Sequence, residues 1–188
     1  MLLNITVYNM KEYETLDSLK NLVRAIPDYP KSGIMFRDIT TLLSNPEGFK
    51  ATVSGLCKPY KIGSIDTVVA IEARGFILGG AMADRLACGF VPLRKKGKLP
   101  YNTITQEYTL EYGTDAIEIH ADAIDTNARV VIVDDLIATG GTAEASVKLI
   151  KQFSENIVGA SFVIDISMLG GRQKLEKMGY NCNVLIEY

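Results

Sequence analysis

The apolar positions of this chain change period along its length. Residues 130–133 read Val-Val-Ile-Val, and an apolar run without alternation marks a parallel strand buried on both faces. Further runs at residues 67–71, 90–93, 157–166 and 184–187 predict additional strands. Between the strands the spacing becomes helical: Val147, Ile150 and Phe153 within residues 143–153, a small-residue stretch over 76–86, and a short helix over 171–177. Asn45 stands as a cap before Pro46 at a first helical position, and Phe49, Val53, Leu56 and Tyr60 form the inward stripe of that helix. Nearer the start, Leu16, Leu19, Leu22, Val23 and Ile26 predict an amphipathic helix over 15–26. Pro27 ends it, because a proline ring disfavours helix at the residue before it.

Residues 99–106 are polar, contain Pro100 and lack a helical period, which predicts a mobile lid. Residues 107–110 and 116–120 predict a hairpin turning at Tyr112, Gly113 and Thr114. His120, the only histidine, is read as packing on that hairpin. Strands alternating with helices imply an α/β fold, a mainly parallel twisted sheet flanked by helices.

Composition narrows the function classes. The 188 residues suit one domain. Lys plus Arg number 20 against 22 for Asp plus Glu, a net charge of −2, so no nucleic-acid-binding face is expected. Cys57, Cys88 and Cys182 are odd in number and far apart, which suggests neither a disulfide framework nor a zinc site and fits a reducing cytosol. Met1 to Met10 lacks a basic start and a long apolar run, and no run approaches the roughly 20 residues of a membrane span, so a cytoplasmic protein without a membrane partner is expected.

The chemistry gathers behind the run at 130–133. Asp134 and Asp135 follow it, at the strand end where open α/β sheets bind ligands. Ala138, Thr139, Gly140, Gly141 and Thr142 then form a small, hydroxyl-rich turn ahead of a helix. Glycines let the loop N–H groups converge on one anion, the helix dipole adds partial positive charge, and threonine hydroxyls donate further hydrogen bonds: this is a phosphate cradle. The two acids can accept hydrogen bonds from ribose hydroxyls or help hold a hydrated Mg²⁺. Gly-Lys-Ser/Thr and Gly-x-Gly-x-x-Gly are both absent, so the loop is neither a P-loop nor a dinucleotide fingerprint. Phosphate, diol and metal together describe a phosphorylated sugar.

Residues 130–142 closely resemble the phosphoribosyl-pyrophosphate (PRPP) motif of type I phosphoribosyltransferases. Further segments resemble adenine phosphoribosyltransferases in order along the chain. Residues 26–39 are held by Pro27, Pro30 and Gly33 and contain Met35-Phe36-Arg37-Asp38, which read alone are a surface turn with a local ion pair. They are similar to the family's hood over the base, where the counterpart of Arg37 holds adenine, that of Phe36 packs near the ring, and the backbone at Met35 reads the ring edge. This chain has Thr41 where the family usually has proline.

Glu72-Ala73-Arg74-Gly75, by itself a salt-bridged turn, resembles the family's pyrophosphate loop. There the counterpart of Arg74 contacts the leaving group and the peptide before Ala73 is commonly cis. Arg94-Lys95-Lys96-Gly97-Lys98 is the densest positive charge in the chain, and its place at a strand end marks Arg94 and Lys98 as anion contacts. Lys98-Leu99-Pro100 with Glu107 and Tyr108 is similar to the flexible catalytic loop, and the counterpart of Leu169 packs on adenine.

The resemblance implies the type I phosphoribosyltransferase fold, with a hood over about residues 1–40 and a flexible loop and hairpin over about 96–120. It implies conversion of adenine and PRPP to AMP and pyrophosphate with Mg²⁺, in purine salvage, by a homodimer. On that reading Arg74, Lys98 and Glu107 are catalytic. Glu72, Ala73 and Arg94 join the pyrophosphate site, Mg²⁺ is held mainly through PRPP and water, and Tyr108 belongs to the lid. Another purine or orotate phosphoribosyltransferase, or a PRPP-sensing regulator without catalysis, is the alternative.

Overall fold

The computed structural model describes residues 16–109 and 113–188. The predicted helix start at Thr15 and the hairpin positions Leu110, Glu111 and Tyr112 lie outside the described residues. The chain forms two compact units, Met1–Thr52 and Val53–Tyr188.

In the first unit, α1 (Leu16–Lys20) closes through Leu22 and Val23, whose N–H groups donate to the Leu19 and Lys20 carbonyls at 3.1 and 3.2 Å. The strand β1 (Arg24–Ile26) then pairs antiparallel with β2 (Phe36–Asp38), Ile26 opposite Phe36. The helix predicted over 15–26 is therefore cut short. Pro27 pushes Ile26 to extended backbone, and a partner strand supplies the hydrogen bonds that a helix would otherwise have made. The connecting loop is closed by Asp28, whose Oδ1 accepts the Gly33 N–H at 2.7 Å, and by Tyr29 meeting Phe36 edge-on with ring centres 5.1 Å apart. Asp38 turns back to accept from Thr40 N–H and Oγ1 at 2.9 and 2.8 Å, ahead of α2 (Thr40–Ser44). Thr41 donates its hydroxyl to the Leu22 carbonyl at 2.6 Å, a bond that a proline side chain cannot make. Asn45 caps α3 (Pro46–Cys57) as predicted, its Oδ1 accepting the Gly48 N–H at 2.8 Å.

Among the described residues the second unit is built on seven strands: β3 (Thr67–Ile71), β4 (Gly89–Lys95), β5 (Thr103–Thr109), β6 (Thr114–His120), β7 (Val130–Ile137), β8 (Ile157–Asp165) and β9 (Cys182–Glu187). Their order is β5-β6-β4-β3-β7-β8-β9. The pairings β4-β3-β7-β8-β9 are parallel, and β5 and β6 add an antiparallel edge. The helices α4 (Gly75–Leu86), α5 (Gly141–Ile150) and α6 (Gly171–Lys177) each follow a strand's C-terminal end. Val130 to Val133 are fully buried, as the unbroken apolar run requires.

β4, β6 and β9 run two or three residues beyond their predicted extents, and β5 and β7 four. β7 continues through Asp134 and Asp135 to Ile137, because β8 goes on pairing with it after β3 has ended beside Val133. β5 begins at Thr103, inside the stretch predicted as a lid, and pairs with β6 from Thr103–His120 onward. Ile104 packs against the core beside β6, and that burial turns half of a polar segment into strand.

Candidate active site

The strand order reverses between β3 and β7, since β3 continues outward to β4 on one side and β7 to β8 on the other. Loops after neighbouring strands on either side of such a reversal diverge and leave a crevice at the carboxyl ends. Glu72, Ala73 and Arg74 follow β3 into that crevice, and Ala138, Thr139 and Gly140 follow β7. The Glu72–Ala73 peptide is cis, in keeping with the resemblance of this loop.

Asp134, Ala138, Thr139, Gly140, Gly141 and Thr142 line one cavity of about 170 Å³, so the structure brings the residues read as a cradle onto a single concave surface. Its floor is fixed by a close backbone approach. Gly140 has φ +76°, and a Cβ there would stand 2.9 Å from the Gly171 Cα, while Gly171 N–H donates to the Ala138 carbonyl at 2.9 Å. That bond ties the cradle to the 3-10 turn Ser167–Leu169, which carries the half-exposed Leu169.

The two acids are neighbours with different surroundings. Asp134 lines the cavity, and its Oδ1 also accepts the Asp135 N–H at 2.8 Å. Burial, and then the neighbouring Asp135 carboxylate, push the Asp134 carboxyl well above the usual carboxylate range, although Arg74 pulls the other way. Asp135 is buried and accepts from Arg74 Nε at 2.5 Å. The assigned ribose acid and the assigned pyrophosphate arginine thus hold each other in this structure, and the arginine side chain remains 41% exposed.

A second linkage joins the ends of β3 and β4. Arg94 Nε donates to Glu72 Oε2 at 2.8 Å, and its Nη1 donates to the Lys98 carbonyl at 3.0 Å. Glu72, Arg94 and Lys98, singled out as one anion site, are therefore physically connected, with the Lys98 side chain exposed.

Glu107 and Tyr108 sit elsewhere. They line an adjoining cleft of about 270 Å³ that shares Gly141 with the first cavity and also includes Glu144, Lys148 and Lys174. The Tyr108 hydroxyl donates to Asp115 Oδ2 at 3.2 Å and also bonds with Thr142, and burial pushes the phenol up. Asp115, which in turn pairs with Lys95 at 3.2 Å, escaped the sequence reading because an Asp beside Gly113 and Thr114 reads as an ordinary turn residue. His120 ends β6 with its ring edge-on to Tyr101 at 6.2 Å. Met35, Phe36 and Arg37 belong to the first unit, where Phe36 and Arg37 are partly buried and Met35 is exposed.

Residues 50–183 match the phosphoribosyl transferase domain family. An adenine phosphoribosyltransferase of Methylorubrum extorquens is 58% identical over 171 residues, covering 91% of this chain and 94% of that protein. Among solved structures, the adenine phosphoribosyltransferase of Rhodothermus marinus superposes with a TM-score of 0.87 at 47% identity, covering 92% of this chain and 98% of that one. The enzyme from Saccharomyces cerevisiae, complexed with adenine and an imino-altritol bisphosphate, gives 0.81 at 36% identity, covering 91% and 98%. Relatives of this similarity favour the adenine assignment over the orotate, other-purine and regulator alternatives. The chain belongs to the adenine phosphoribosyltransferases, and its sheet and flanking helices are the type I phosphoribosyltransferase fold.

Proposed function

We propose that the protein transfers the 5-phosphoribosyl group of PRPP to N9 of adenine, giving AMP and pyrophosphate. The observation that carries this reading is the crevice between β3 and β7, where a phosphate-sized cradle with an acid at its wall stands beside the Arg74 loop, in a chain of this family whose Arg94, near the end of the neighbouring β4, is tied to Glu72. In the reaction the C1–oxygen bond to pyrophosphate breaks and its electron pair leaves with pyrophosphate. The N9 lone pair forms the new bond to C1, and the N9 proton departs.

Negative charge grows on the leaving group, so groups preorganised around pyrophosphate make the largest electrostatic contribution. Arg74, Arg94 and Lys98 are assigned to it, with Glu72 and Ala73 shaping the loop. Ala138 to Thr142 grip the 5′-phosphate, which undergoes no bond change, and so hold C1 against the base. Asp134 and Asp135 are assigned to the ribose hydroxyls. Met35, Phe36, Arg37 and Leu169 are assigned to adenine by the family likeness.

No cluster of three or more metal-ligating side chains occurs among the described residues. That suits Mg²⁺ arriving with PRPP and held by phosphate oxygens and water, with Asp134 and Asp135 at most assisting, as this hard, reluctantly dehydrated ion prefers. Bound there, it would neutralise charge on pyrophosphate. A homodimer is part of the proposal, as the family likeness implies. So is a cytoplasmic place in purine salvage, supported by free cysteines and by the lack of a helix long and apolar enough to cross a membrane among the described residues.

Replacing both Asp134 and Asp135 with Asn keeps their shape but removes the charge that accepts from ribose hydroxyls and favours bound Mg²⁺. Calorimetric titration with PRPP and Mg²⁺ should show affinity lowered at least tenfold, the scale of one lost charge-assisted hydrogen bond. Unchanged affinity in a folded double variant would remove the assigned role.

A further inference from the structure

Glu118 is a buried carboxylate to which the mechanism above gives no task. It is 6% exposed and lies in the middle of β6, opposite Arg94 on β4 and Thr105 on β5. Side chains directly opposite in antiparallel pairs share a face, so Glu118 stands between the strand that leads into the basic turn and the strand that leads away from it. One oxygen, Oε2, accepts the Gly97 N–H at 2.9 Å; the other, Oε1, accepts the Thr105 hydroxyl at 3.2 Å. Gly97 has φ +79° and is the pivot of Arg94-Lys95-Lys96-Gly97-Lys98. Two backbone bonds add to the grip: Lys96 N–H donates to the Ala116 carbonyl and Lys98 N–H to the Lys95 carbonyl, each at 3.2 Å. Arg94 Nη1 reaches the Lys98 carbonyl on the far side of the same turn.

A negative charge buried next to a basic turn that is meant to receive an anion is, in Coulomb terms, a handicap for that anion. It is compatible with the site only if what it does for the shape of the turn outweighs its charge. A carboxylate that accepts a backbone N–H makes one of the stronger hydrogen bonds available, and this one fixes the pivot from which Lys98 projects. We propose that Glu118 is a positioning residue for the pyrophosphate subsite, clamping the Gly97 turn so that Arg94 and Lys98 are presented in one fixed arrangement. The proposal rests on the reading of this site given above, and it adds a residue outside the assigned set.

The test uses the reverse reaction, AMP with pyrophosphate and Mg²⁺, and measures separate KM values for the two substrates. In Glu118→Ala the KM for pyrophosphate should rise about tenfold, the size of one lost charge-assisted hydrogen bond, while the KM for AMP stays within threefold. Glu118→Gln keeps an acceptor for Gly97 and should stay within threefold on both. Should Glu118→Ala fail to fold, Glu118→Asp decides by the same criterion, because it keeps the charge but shortens the reach.

A pyrophosphate KM unchanged on removal of the side chain would overturn the proposal. So would a parallel rise in both KM values, which marks general loosening, or a tighter pyrophosphate KM in Glu118→Gln, which marks charge rather than position. Wild-type protein that makes no PRPP from AMP and pyrophosphate would instead strike the functional reading itself, and the proposal would fall with it.

Discussion

Glu107→Gln is expected to lower kcat a hundredfold or more while PRPP affinity stays unchanged. Bond formation through N9 requires the purine to lose its N9 proton or to gain one at N7. A carboxylic acid near N7 can share that proton in the transition state, and help of this kind is worth about 10²–10⁴-fold. Glutamine keeps the size and hydrogen bonding of the side chain but can neither give nor take the proton. In this structure Glu107 is an exposed residue of the edge strand β5, paired with Ala116 and lining the cleft along α5 rather than the phosphate cavity. A proton-handling role therefore demands that the hairpin close over the base, which lids that exclude water characteristically do. Steady-state kinetics decide. A rate within threefold of the parent would leave Glu107 as hairpin surface and pass the proton to a backbone carbonyl or to water.

A second large effect is expected in base choice. Adenine offers a donor at N6 and an acceptor at N1, whereas hypoxanthine offers an acceptor at O6 and a donor at N1. A backbone carbonyl and N–H reading that edge suit the first base and face like groups in the second. Met35, assigned to this task, stands just ahead of β2 and outside the registered pairs of the β1–β2 hairpin, which begin at Ile26–Phe36. Each mismatch leaves a buried polar group unsatisfied at a cost of about 1–3 kcal/mol. Two mismatches sum to about 2–6 kcal/mol, a preference of about thirtyfold or more in kcat/KM at ~1.4 kcal/mol per tenfold. Assays of each base with PRPP and Mg²⁺ measure it directly, and comparable turnover of adenine and hypoxanthine would overturn the assignment of Met35.

What was legible in the sequence follows from where the folding information is local. Val130 to Val133 and Thr67 to Ile71 declared themselves as buried strands because their apolar runs admit little else, and Asn45 with Pro46 declared a helix start by capping chemistry alone. That Thr139, Gly140, Gly141 and Thr142 share one concave surface was legible because they form one continuous string.

Features that depend on a distant partner were not. Arg24 to Ile26 carries part of a helical pattern and becomes strand only because Phe36 to Asp38 comes alongside. Thr103 to Gln106 is polar enough for a loop and is strand because β6 pairs with it and Ile104 finds the core. The most instructive case is Arg74 with Asp135, sixty-one residues apart, which the sequence assigned to different parts of one ligand and the fold joins at 2.5 Å. Neither residue carries a local sign of that pairing, and it arises from the adjacency of β3 and β7 at the strand reversal.

That reversal is where the transfer reaction is assigned, and one measurement addresses it. Limiting adenine is incubated with excess PRPP and Mg²⁺, and AMP and pyrophosphate are quantified in the same sample. Transfer at the β3–β7 crevice requires both products in amounts equal to the adenine consumed. Pyrophosphate released without AMP would mean that water, not adenine, captures the sugar, and adenine left unconsumed would contradict the assigned activity outright.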